Sequence, residues 1–246
     1  MRTANPVLNA KSFKRYERYV EGEPVMTIQG TINKIAIMLA LLVVAAGFMW
    51  DRLNTAAPQS VFLWMLVGGL GGFILAIITL SKPTIAPITA PIYALCEGLL
   101  LGAISAYAEQ HYPGIAIQAV GLTAGVLFTM LLIYRTGLIK VSDKFMRGVM
   151  AATGGIMLVY LVSILLSFGG MTIPFIHGGG PIGIGFSLFV VVIAALNLVL
   201  DFALIEQSAK GGAPKYMEWY GAVALMVTLV WLYIEILRLL LKLQDR

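Results

Sequence analysis

Asp201 closes a continuous apolar run, residues 185–201, and follows Asn197 by four positions. A carboxylate in such a run is costly unless it is protonated, paired or turned toward water, so it is a functional-site candidate by default. Spacing of four places Asn197 and Asp201 on one face of a helix. Thr228 lies about ten residues into the next apolar run, which must return in the opposite direction, so the two residues reach similar depth at ~1.5 Å per residue. A threonine hydroxyl can donate to an ionised aspartate or accept from a protonated one. Glu97 is a second acid within an apolar run, one helical turn after Tyr93, whose hydroxyl is placed to hold the carboxyl.

The chemistry open to Asp201, Asn197, Thr228 and Glu97 is proton exchange or loose coordination of a cation. Calcium takes about six to eight oxygens, so these side chains would need backbone carbonyls and water to complete a shell. Asp201 is a weak calcium candidate on this count, and no other metal site is expected. The bland alternatives are an Asp201 that snorkels to the membrane surface and a protonated Glu97 that bonds a neighbouring helix. His111 and His177 are expected in loops without a second ligand. Nucleophile elbows, His-Glu-x-x-His and paired aspartyl-protease motifs are absent from the sequence, which points away from an enzyme. No resident cofactor is expected.

The elements that carry these residues follow from composition. Apolar residues make up 59% of the 246 and charged residues 12%, far from the balance of a soluble domain. The mean hydropathy is +0.90. Runs of about 20 apolar residues suffice to cross a bilayer core as helices. Seven such runs are predicted, over residues 33–50, 61–80, 85–106, 114–134, 145–168, 182–205 and 219–239. Continuous rather than alternating apolarity excludes barrel strands. The fold class is therefore an all-α membrane protein, a seven-transmembrane helix bundle. The predicted organisation is a polar tail at 1–32, a membrane domain at 33–241 and a short tail at 242–246.

Placing the N-terminus in the cytoplasm puts 13 of the 17 basic residues on the inner side. Arg52, Arg238, Lys242 and Arg246 remain outside, and a last segment that re-enters is the alternative. The first apolar run begins only near Ile32, so no cleavable signal is expected. A single cysteine, Cys96, excludes an internal disulfide, and a formal charge of +5 reflects orienting lysines and arginines rather than nucleic-acid binding. Gly68-x-x-x-Gly72, Gly98-x-x-x-Gly102 and Gly121-x-x-x-Gly125 are expected to be close helix contacts. Glu235 and Arg238, three apart, are expected to form a salt bridge at the outer interface. The cluster at residues 178–181 lacks the lysine of a phosphate loop and reads as a turn.

Three stretches carry a resemblance. Leu198-Val-Leu-Asp201-Phe-Ala-Leu-Ile-Glu206, the run from Leu225 to Leu240 and the Gly-rich run from Tyr93 to Ser105 are similar to signature segments of the Bax inhibitor family. The Ala-Pro-Lys-Tyr-Met-Glu-Trp-Tyr sequence at 213–220 resembles a bacterial branch of that family. The resemblance implies a seven-helix bundle in the bacterial inner membrane. It also implies a calcium leak controlled by two aspartates, one in each of the last two spans, that share a proton. Neighbouring carboxylates do not both ionise cheaply, so protonation switches their packing. Asp201 matches the first aspartate. Thr228 stands where the second belongs, and Lys82 is a loose counterpart of the family's basic latch residue. The expected partners are the lipid bilayer and calcium or protons. A role without transport, binding a membrane protease or a stress-response protein through the charged N-terminal tail, is the alternative.

Overall fold

A computed structural model describes residues 24–55, 58–170 and 178–244. It contains seven long helices, each apolar enough to cross a membrane. They are α1 (Ile28–Thr55), α2 (Pro58–Ser81), α3 (Ala86–His111), α4 (Ile115–Arg135), α5 (Asp143–Phe168), α6 (Pro181–Lys210) and α7 (Met217–Gln244). The all-α membrane architecture expected from composition is the one observed. Most helices extend past the apolar runs into their polar flanks, because the hydrogen-bonded ladder does not stop where hydropathy falls.

The predicted boundary at residue 32 falls inside α1, and the one at 242 falls inside α7. Near both ends of the described residues the chain is bound into the bundle: Met26 is buried, and so is Lys242. The described chain ahead of α1 pairs with the α6–α7 loop through an isolated antiparallel bridge between Val25 and Pro214. Met26 N donates to Ala213 O at 2.7 Å, and Lys215 N donates to Pro24 O at 3.0 Å.

Three helices form the centre. Most of the apolar length of α6, α7 and α3 is buried, whereas α1, α2, α4 and α5 are largely uncovered. Helix α7 packs against α6, α1, α3 and α4, while α2 leans chiefly on α3, and α5 on α6. The outer helices turn large apolar side chains outward, such as Phe73 and Ile74 of α2 and Leu158 and Leu165 of α5. This is the distribution expected where the surroundings are lipid rather than water.

Glycines set the closest approaches. A Cβ at Gly98 would stand 2.3 Å from Leu42 O, and one at Gly102 would stand 2.6 Å from Ala46 Cα, so α1 lies directly on the α3 backbone. A Cβ at Gly68 would meet Cys96 O at 2.6 Å, which seats α2 on the other side of α3. Two of the three expected Gly-x-x-x-Gly motifs are therefore contacts. The third is not: Cβ atoms at Gly121 and Gly125 would meet nothing within 4 Å. The motif permits close packing but does not choose which helix face has a neighbour.

The α2–α3 connection is tight. Lys82 precedes a 3-10 turn, Pro83–Ile85, and Pro87 lies in the first turn of α3, where a missing N–H costs nothing. The Thr79 and Thr89 hydroxyls meet at 2.6 Å across this hairpin. At the other end of α3, Glu109 accepts from Gly114 N at 2.6 Å and Ala116 N at 3.0 Å, satisfying the exposed amides that open α4.

Candidate functional site

Helices α6 and α7 are antiparallel, and two contacts fix their register. A Cβ at Gly221 would lie 3.3 Å from Ile205 Cγ1 near the connecting loop. At the far end, Lys242 Nζ donates to Ser187 Oγ at 2.8 Å and to Gly183 O at 3.1 Å. Counting residues from the Gly221–Ile205 contact brings Leu225 to the level of Asp201. Thr228 is three residues further on, on the order of 4.5 Å along the axis. Asp201 is completely buried and Thr228 nearly so. Thr228 Oγ1 lies 3.5 Å from Ala224 O, a long hydrogen bond to its own helix.

Asn197 belongs to the same depth, but its amide faces another helix. Nδ2 donates to Thr153 Oγ1 of α5 at 2.8 Å and to Ile193 O at 2.9 Å. The bond ties α5 to α6 within one turn of Asp201. The zone around Asp201 thus contains one carboxylate, one amide oxygen and two threonine hydroxyls, all on helices with apolar surroundings. Thr153 escaped the sequence reading because a threonine in an apolar run carries no signal without its partner.

Glu97 is not part of this zone. Its carboxylate points into the α2–α3 seam, where a Cβ at Gly72 would lie 2.7 Å from Oε1. The Tyr93 hydroxyl, one turn earlier on the same helix, is its polar neighbour. The expected pooling of Glu97 with Asp201, Asn197 and Thr228 into one ligand set therefore does not occur. Depth along a helix is legible in sequence, whereas the azimuth that selects a neighbour depends on packing. Among the described residues, no three His, Cys, Asp or Glu side chains converge as a metal site would require.

The family profile described as Bax inhibitor 1 like matches residues 5–245. The chain belongs to the Bax inhibitor 1 like family. The match spans all seven helices, including the α6–α7 hairpin that carries Asp201 and Thr228. No curated protein and no solved structure matches the chain significantly.

The other candidate residues of this Bax inhibitor 1 like chain lie outside this zone. Lys82 is exposed at the α2–α3 junction and forms no ion pair among the described residues. His111 occupies the last turn of α3 rather than a loop, with Nδ1 2.9 Å from Tyr107 O. His177 lies outside the described residues. Arg238 Nη1 stands 3.2 Å from Glu235 Oε1. Tyr160 of α5 completes this pair, donating to Glu235 Oε1 at 2.8 Å and accepting from Arg238 Nη1 at 2.8 Å.

Glu218 lies in the first turn of α7. Its Oε1 accepts from Thr27 N at 3.0 Å, Thr27 Oγ1 at 2.9 Å and Lys215 Nζ at 2.7 Å. One buried carboxylate therefore serves the N-termini of both α1 and α7, where partial positive charge favours an anion. An acid in the first turn of a helix is the sequence signal for such a role.

Proposed function

We propose that the chain is a pH-sensitive cation leak, for calcium, gated around Asp201 in a bacterial inner membrane with its N-terminus in the cytoplasm. The observation that carries this reading is the fully buried Asp201 carboxyl on the α6–α7 hairpin, at the depth of Thr228 and Asn197. Family membership supports the same reading, since the resemblance of the α6 segment to the family implies a gating aspartate at Asp201. Gain or loss of a proton at Asp201 changes the charge in an apolar seam, and the helices must repack or admit a counter-ion. With Thr228 in place of a second carboxylate, the proton is not shared between two acids. Asp201 is then the acid that responds, with hydroxyls and an amide as nearby polar neighbours. The role is not enzymatic, and calcium is cargo rather than a resident ligand.

The test is calcium flux into proteoliposomes containing the purified full-length protein, measured across a series of pH values. Flux that depends on pH in the parent and loses that dependence in Asp201→Asn supports the reading. A parent that conducts no better than protein-free vesicles removes it.

A second reading is a non-transporting regulator that binds a membrane partner through the N-terminal tail. It is favoured by the bridge between Val25 and Pro214, which joins the tail directly to the loop of the Asp201 hairpin. Deletion of residues 1–23 tests it, because residues 24–30 belong to the bundle. A stable partner lost on that deletion, in a parent without flux, supports this reading over the leak.

A further inference from the structure

The polar residues of α7 that face α5 and α6 recur at helical spacing. Thr228, Glu235, Arg238 and Lys242 are seven, three and four apart and form one stripe. Asn197 and Thr153 meet each other beside the start of this stripe, Tyr160 meets Glu235 and Arg238, and Ser187 meets Lys242. Two polar zones result, separated by about 10 Å along the axis. The first holds Asp201, Asn197, Thr153 and Thr228. The second holds Glu235, Tyr160 and Arg238. Between them lies an apolar cluster of Ile156, Val190 and Ile193, with Trp231 packed against it.

The second zone contains a carboxylate that the Asp201 chemistry does not use. The Glu235 side chain is 2% exposed, whereas that of Arg238 is 34% exposed. Glu235 is therefore fixed, and Arg238 is the partner with room to leave. Because the two are three apart on one helix, they separate by side-chain rotation alone, without a change in backbone. The guanidinium lies 5.0 Å from the Tyr160 ring and acts as a tethered cation. When it swings away, only the Tyr160 hydroxyl and the electrostatic pull of Lys242 remain to compensate a buried carboxylate, a state that another cation relieves.

We propose that Glu235 and the Tyr160 hydroxyl form a second cation-binding position on the α5–α6–α7 seam, kept closed by Arg238. The proposal rests on the leak reading, since it supplies the permeating ion with a position beyond the apolar cluster. Its oxygen ligands are the Glu235 carboxylate and the Tyr160 hydroxyl, with water completing the shell. Arg238 competes with the ion for the same oxygens.

Calcium flux and calcium-dependent thermal stability test this together, using the full-length parent, Arg238→Gln and the double variant Glu235→Gln/Arg238→Gln. Arg238→Gln is expected to raise flux about fivefold or more, the lower end of what one coupled contact gives. The double variant is expected to return to the parent rate or below. Added calcium chloride is expected to raise the Tm of Arg238→Gln in detergent, and not that of the double variant. Should Arg238→Gln fail to fold, Arg238→Lys replaces it, with the same order and a smaller rise. A folded Arg238 variant that conducts no faster than a conducting parent overturns the proposal, as does a double variant as fast as the single. If no protein conducts, the leak reading falls. Calcium stabilisation of Arg238→Gln alone would then still support the site, and its absence would remove that as well.

Discussion

Gly30 has no side chain where the Glu218 carboxylate needs room: a Cβ there would stand 1.9 Å from Oε1 and 2.2 Å from Cδ. Glycine in a helix is ordinarily a weakness relative to alanine. Here the absent side chain admits the carboxylate that binds Thr27 and Lys215, and so connects the start of α1 to the start of α7.

The sign of a Gly30→Ala substitution follows. Helix propensity alone would make it stabilising by about 1 kcal/mol. The contact predicts the reverse, since the methyl displaces Glu218 from three donors and leaves a buried acid poorly paired, at a cost of roughly 2–3 kcal/mol. Thermal unfolding of the purified protein is expected to show a lower Tm. Combining Gly30→Ala with Glu218→Ala should cost less than the two single changes together, because they strain the same contact. A strictly additive double variant would show that the two residues are not coupled.

Glycine substitutions elsewhere should divide by helix face. Gly98→Ala drives a methyl into the Leu42 carbonyl and is expected to destabilise by about 1–3 kcal/mol. Gly121→Ala meets open space and should be neutral or slightly stabilising. Parallel thermal melts separate the two, and equal losses would contradict the packing described.

The Asn197–Thr153 bond links α5 to α6 beside Asp201. Thr153→Val keeps the shape and removes the hydroxyl, leaving the Asn197 amide with only its own-helix acceptor. The expected loss is about 1 kcal/mol, visible as a reduced Tm. Thr153→Ser should retain most of the stability. A valine variant as stable as the parent would show that the bond does not hold the helices together.

Thr228→Asp introduces a second carboxylate within about one turn of Asp201 in depth. Two acids in an apolar seam are tolerated while they share a proton and repel once both ionise. Stability of this variant should therefore be highest in acid and fall as pH rises, more steeply than that of the parent. A Tm series from acidic to alkaline buffer reads this directly. Identical slopes in parent and variant would mean that the two positions do not sense each other.

The seven helices, the absence of a barrel and the family resemblance were all legible in the chain, because apolar length and a few spaced polar residues are one-dimensional properties. So were the depths of Asp201, Asn197 and Thr228, the Tyr93–Glu97 turn and the Glu235–Arg238 pairing, each a matter of helical spacing. Azimuth was not. It sends Asn197 to Thr153 and Glu97 to the α2–α3 seam, and it leaves Gly121 facing outward while Gly98 lies against α1. Nor did spacing reveal Tyr160 beside Glu235, or Thr27 beside Glu218, since those partners are 75 and 191 residues apart. Sequence determined which residues could do chemistry and how deep they lie. Tertiary structure decided which of them meet, because a helix presents every side of itself and only packing against its neighbours selects among them.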